Sequence, residues 1–208
     1  MAITRVDHAI FRLAALLPGS SNHRVTFLPA QQAVWYRVPK VATNSVQRLF
    51  DEHPAIETDT IPGKMKLPAC MCRNWMRFGF VRHPVSRIHS AWKDKVLQSN
   101  FFELPESLYQ EVQEFDGFLD WLSGINLQSA EPHIRQQSSL MPVQQMHFIG
   151  KIESLNEDIE RLFTTWQLTP PALKQVNKTP PQMAPTSAQE SIIRRLYAAD
   201  FGALYPSD

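Results

Sequence analysis

One plan, used twice, constrains this chain more than anything else in it. Val34-Trp-Tyr-Arg-Val-Pro-Lys-Val-Ala-Thr-Asn-Ser45 and Phe78-Gly-Phe-Val-Arg-His-Pro-Val-Ser-Arg-Ile-His-Ser90 each run apolar, then turn basic and hydroxylated where a helix should begin. A short apolar strand feeding directly into a helix start places unpartnered backbone N–H groups beside a Lys or Arg, which is how an α/β protein builds an anion site. Two such sites in one chain point to a ligand with two separated phosphate groups.

The rest of the chain repeats the alternation. Gln32 to Val38, Trp75 to Arg82 and Met146 to Ile152 read as buried strands, and each is followed by helical spacing. Val46, Leu49 and Phe50 mark the inner face of the first helix, with Thr43 or Asn44 as its N-cap. Pro84 opens the second helix, which runs to about Leu97 with Val85, Ile88, Trp92 and Val96 inward. Phe115 to Leu122 is a short helix, and Ser154-Leu-Asn-Glu157 has the capping-box pattern for another through Trp166. Ser187 to Phe201 reads as one closing helix. Strands alternating with helices predict an α/β fold, a mainly parallel central sheet covered on both faces, in a single domain of residues 1–208. Residues 1–31 form its lead-in, irregular from residue 18 onward. Residues 51–74 and the Pro-rich stretch 170–185 read as surface connections.

Composition narrows the partners. A formal net charge of +1 provides no global field to draw nucleic acid or an anionic membrane, so anion binding must be local. Cys70 and Cys72 are too close in sequence for good mutual disulfide geometry and lack the second ligand pair of a zinc site, so they read as reduced thiols. The apolar stretch Ala9 to Leu17 is too short to span a bilayer and contains Arg12. It reads as a weak amphipathic helix, with no secretion signal or membrane anchor, and a cytoplasmic location is expected.

Lys40 with Thr43, Asn44 and Ser45 forms one anion site; Arg82 with Arg87 and Ser90 forms the other. The logic is that of a P-loop without its sequence. No G-x-x-x-x-G-K-[ST] occurs, and no hydroxyl follows Lys40 directly to hold magnesium. On these residues alone a P-loop-like ATP-dependent kinase and a non-catalytic nucleotide-binding protein stay open as alternatives.

Pro39-Lys-Val-Ala-Thr-Asn-Ser45 resembles the 5′-phosphosulfate loop of sulfotransferases that use 3′-phosphoadenosine-5′-phosphosulfate (PAPS). Phe80-Val-Arg-His-Pro-Val-Ser-Arg-Ile-His-Ser-Ala-Trp92 resembles their 3′-phosphate segment. Glu131-Pro-His-Ile-Arg-Gln-Gln137, Phe148-Ile-Gly-Lys-Ile-Glu-Ser-Leu155 and Leu196-Tyr-Ala-Ala-Asp-Phe201 fit the carbohydrate branch, which includes the chondroitin 4-O and HNK-1 enzymes, in the same order. The resemblance covers about Ala33 to Tyr205. It implies a three-layer, P-loop-like sulfotransferase fold and in-line transfer of a sulfuryl group from PAPS, leaving the product PAP, to an acceptor hydroxyl, most readily of a carbohydrate. No metal is implied. It further implies that Lys40, Val41, Ala42, Thr43, Asn44 and Ser45 hold the 5′-phosphosulfate, with Lys40 beside the bridging oxygen, and that Arg82 and Ser90 take the 3′-phosphate. The chain departs from the pattern at His83, which replaces a frequent acidic residue, and around Ser138 to Val143, which replaces the Cys pair of that branch.

A hydroxyl acceptor calls for a general base near neutral pKa, and His is the usual choice. His133 leads, within the family-like His-x-x-x-Gln segment. His53 is second, and Glu131 could serve in their place. Neither an oligomeric state nor the acceptor itself is legible at this level.

Overall fold

The computed structural model describes residues 22–60, 65–66, 72, 74–171 and 185–208. Ala9 to Leu17, Cys70 and most of 170–185 lie outside them. The described residues of Met1–Val81 and Leu140–Val176 form one compact unit; those of Arg82–Ser139 and Asn177–Asp208 form a second. No helix among the described residues is long and apolar enough to cross a membrane.

The first unit is built on a five-stranded sheet. Its strands are β2 (Val25–Leu28), β3 (Ala33–Tyr36), β4 (Asp59–Thr60), β6 (Met76–Val81) and β7 (Phe148–Lys151), in the order β4-β2-β3-β6-β7. A separate two-stranded pair joins β1 (Asn22–His23) to β5 (Met65–Lys66). The sheet is mixed: β3, β6 and β7 are mutually parallel, with Tyr36 opposite Gly79 and Val81 opposite Lys151, whereas β2 is antiparallel to both β3 and β4. The irregular lead-in expected over 18–31 is thus corrected for its described residues, 22–31. Val-Thr-Phe-Leu, the β2 residues, are all buried, and the tight turn over Pro29 to Gln32 can only return the chain as an antiparallel hairpin. The Pro and polar residues around β2 obscure a four-residue strand that gains its stability from β3.

One sheet face carries an aromatic cluster. α1 (Thr43–Asp51) brings Phe50 within 5.5 Å of the Trp35 ring and 6.0 Å of Phe78. α5 (Leu155–Thr165) adds Phe163, and Trp166 just beyond it lies 5.5 Å from Phe78. Each fully buried ring contributes about 1.5–3 kcal/mol of hydrophobic stabilisation. Gly150 is required here, because a Cβ would fall 2.6 Å from the Phe80 ring. On the opposite face Gly79 leaves room for Met141 and Met146. The capping box expected at Ser154 does not form: the Ser154 hydroxyl donates to Asp158, whose carboxylate also accepts the Lys151 amide and Arg161. A buried carboxylate one turn into the helix competes better for that hydroxyl than the backbone does.

The second unit is helical: α2 (Pro84–Trp92), which continues as a π-helical turn Lys93–Leu97, then α3 (Glu106–Val112), α4 (Phe115–Ser123), α6 (Ser187–Leu196) and α7 (Ala198–Leu204). Val85, Ile88 and Val96 are buried as the spacing predicts; Trp92 is half-buried and donates its indole N–H to the Val112 carbonyl at 2.9 Å. α3 has no counterpart in the sequence reading. The closing helix is split at Tyr197, whose backbone (φ −109°, ψ 26°) leaves the helical region. Tyr197 is fully buried and its hydroxyl donates to the Ile134 carbonyl, so a tertiary anchor overrides continuous helical propensity.

Candidate functional site

In the first unit, β3 and β6 are adjacent and parallel, so both end at the same sheet edge. In open α/β sheets ligands bind beyond strand C-termini. The chain leaves β3 through Val38 to Ala42 and enters α1 at Thr43. Two non-glycine residues in this turn are left-handed, Lys40 (φ 71°) and Ala42 (φ 53°), each at a cost of about 1–2 kcal/mol. Val41 between them keeps a negative φ and packs its side chain into the core. Backbone that alternates in handedness can turn successive amide N–H groups toward one side, an arrangement suited to an anion. Strain of this kind concentrates where function needs it.

The helix start differs in detail from expectation. Ala42 is the N-cap, not Thr43 or Asn44, and no side chain caps α1. The Thr43 hydroxyl instead donates to the Val38 carbonyl at 2.6 Å, stitching strand end to helix start. Its hydrogen is committed there, which leaves the first-turn amides of Thr43 and Asn44 as the helix-end donors. Ser45 N–H reaches back to Ala42 O at 2.9 Å, Asn44 is exposed, and Lys40, Thr43 and Ser45 are half-buried. The left-handed pair is the feature that the sequence did not disclose.

In the second unit, Arg82 and His83 form the two-residue link before α2. The Arg82 Nε–H donates to Ser86 Oγ at 3.1 Å, and that hydroxyl donates to His83 O at 3.0 Å. Ser90 lies one turn beyond Ser86 on the same helix face, half-buried. Arg87 is corrected. It is fully buried, with its two terminal nitrogens donating to the carbonyls of Arg135 (2.8 Å) and Pro132 (2.9 Å), so it holds the 132–135 segment instead of facing a phosphate. Burial pushes its guanidinium below the ordinary value, opposed by Tyr197, Asp200 and Glu131.

His133 and His53 have different surroundings. Glu131 accepts from the His133 Nδ1 at 2.9 Å and from its backbone N–H at 2.7 Å, while the ring packs edge-on against Phe101. A carboxylate only accepts, so Nδ1 carries the proton and Nε2 the lone pair. The Glu131 carboxylate thereby fixes the orientation of the ring. His53, in the first unit, has both nitrogens engaged by backbone: Nδ1 accepts from Ala55 N–H and Nε2 donates to Thr169 O, each at 3.2 Å. Among the tryptophans Trp35 is fully buried, while Trp75, Trp92, Trp121 and Trp166 are half-buried.

Comparison with known proteins adds one finding. Residues 23–200 match the sulfotransferase family. No curated protein and no solved structure matches the chain.

Proposed function

This chain belongs to the sulfotransferase family, and on that premise we propose that it moves a sulfuryl group from PAPS directly to an acceptor hydroxyl, most readily of a carbohydrate. The family itself supports sulfuryl transfer in general and implies a hydroxyl-bearing acceptor. The observation that carries the finer reading is the strained turn at 40–42: a left-handed Lys and a left-handed Ala at a helix mouth fit a phosphosulfate better than a purely structural turn. PAPS supplies the activated sulfuryl group. The amides of Val41 to Asn44 and the Ser45 hydroxyl hold its 5′ end, and Lys40 places a fixed cation where charge builds on the departing phosphate. Arg82 and Ser90 hold the 3′-phosphate. His133, kept in one tautomer by Glu131, takes the acceptor proton at Nε2; His53 would first have to release a backbone partner. The three-layer, P-loop-like architecture and the placement in the chondroitin 4-O and HNK-1 branch belong to the same reading.

Two measurements test it. PAP without magnesium should raise the Tm, whereas a response confined to ATP with magnesium would replace the reading with a kinase. Labelled PAPS should then pass its sulfate to a member of a panel of glycans, phenols, alcohols and amines, and His133→Asn should lower that turnover about 10²–10⁴-fold. Binding of PAP with no transfer to any acceptor would leave a nucleotide-binding protein.

A further inference from the structure

We propose that Gln137 and Ser86 are positioning residues for Arg82, and that Asp200 holds Gln137 in place for that task. The inference rests on the reading of Arg82 as the 3′-phosphate ligand. Arg82 sits where β6 has ended and α2 has not begun, so neither a sheet ladder nor a helix satisfies its main chain. Gln137 does. Its Oε1 accepts the Arg82 N–H at 3.0 Å and its Nε2 donates to the Arg82 carbonyl at 2.8 Å, the reciprocal pairing that a neighbouring strand would offer. Only a carboxamide can accept and donate in this way. Gln137 is fully buried, as is Asp200. The Asp200 carboxylate accepts Gln137 N–H (2.8 Å), Ser138 N–H (2.8 Å) and the Ser138 hydroxyl (2.7 Å). The clamp fixes the backbone from which the Arg82 side chain departs, and Ser86 fixes its Nε edge.

This arrangement also accounts for two of the three family-like segments that had no role at the donor. Gln136 and Gln137 close the first of them, and Leu196 to Phe201 is the second. Gln136 Nε2 donates to the Leu196 carbonyl at 3.0 Å, Tyr197 donates to Ile134, and Asp200 receives Gln137, so the segments bind each other and, through Gln137, the main chain of Arg82.

The test compares the affinities of PAP and of 5′-AMP, which lacks the 3′-phosphate, by titration calorimetry on the full chain. Wild type is expected to prefer PAP strongly. Gln137→Ala and Ser86→Ala should each lower the PAP to 5′-AMP affinity ratio by about tenfold, the scale of one misdirected charge-assisted contact, while 5′-AMP affinity stays constant. A purely structural role would lower Tm and leave the ratio intact, and an unchanged ratio in folded variants overturns the proposal. Ser86→Ala, on the face of a surface helix, carries the test if Gln137→Ala does not fold. Equal affinities in wild type would instead remove Arg82 from the 3′-phosphate, and the positioning role with it.

Discussion

The two turns look alike in sequence and are held in opposite ways. The turn at 38–45 is local: backbone strain at Lys40 and Ala42, a Thr43 hydroxyl reaching five residues back, and a buried Val41 define it within one stretch of chain. The link at 82–83 depends on residues far away in sequence, Gln137 on its main chain and Asp200 behind that. A locally determined turn carries its information in a short motif. One fixed by remote side chains spreads it over several motifs that have no evident chemistry of their own.

Four substitutions would break or sharpen this contrast. Lys40→Ala should have the largest effect, lowering turnover about 10²–10³-fold in the labelled-sulfate assay while PAP still raises Tm, because a single fixed charge is lost and the backbone concavity stays. A turnover unchanged by this variant would take Lys40 out of the chemistry. Asp200→Ala comes next. It strands one buried and two half-buried donors, so unfolding should become easier by about 3 kcal/mol, seen as a Tm lower by about 10 °C. Ala42→Gly should act the other way on the local turn, raising stability by about 0.5–1 kcal/mol in denaturant titration, since glycine relieves the left-handed strain but gains freedom in the unfolded chain.

The smallest effect concerns pH. His23 is buried with Nδ1–H donating to Leu140 O, and burial lowers its pKa from the ordinary value of about 6.5. The unfolded chain therefore binds this proton more readily than the folded one. The stability contributed by neutral His23 is complete above that pH and is lost as pH falls below it. His23→Gln should flatten the acid side of the Tm against pH curve by a few degrees; parallel curves for wild type and variant would contradict the assignment.

Much of the fold was legible because hydrophobic period and turn chemistry are local. β3, β6, β7 and helices α1, α2, α4 and α5 fall where spacing puts them, and the buried Val46, Leu49 and Phe50 are those of the predicted face. β2 was not, since four residues flanked by Arg24 and Pro29 become a strand only through pairing with β3. The break at Tyr197 was not, since it answers to a carbonyl sixty-three residues away. At the site, residue types at 40–45 and 82–90 named an anion ligand, whereas the fate of each side chain was invisible: Thr43 turned to Val38, Arg87 withdrew into the interior, and His133 found Glu131.

By itself, then, the sequence determined that strands would end in basic, hydroxyl-bearing helix starts, because strand, turn and helix preferences act over a few residues. Tertiary structure decided which charges stay at the strand ends and which turn into the core. That choice depends on competition between partners brought together from distant positions, in which a buried Arg or Asp must find acceptors or donors wherever the fold supplies them.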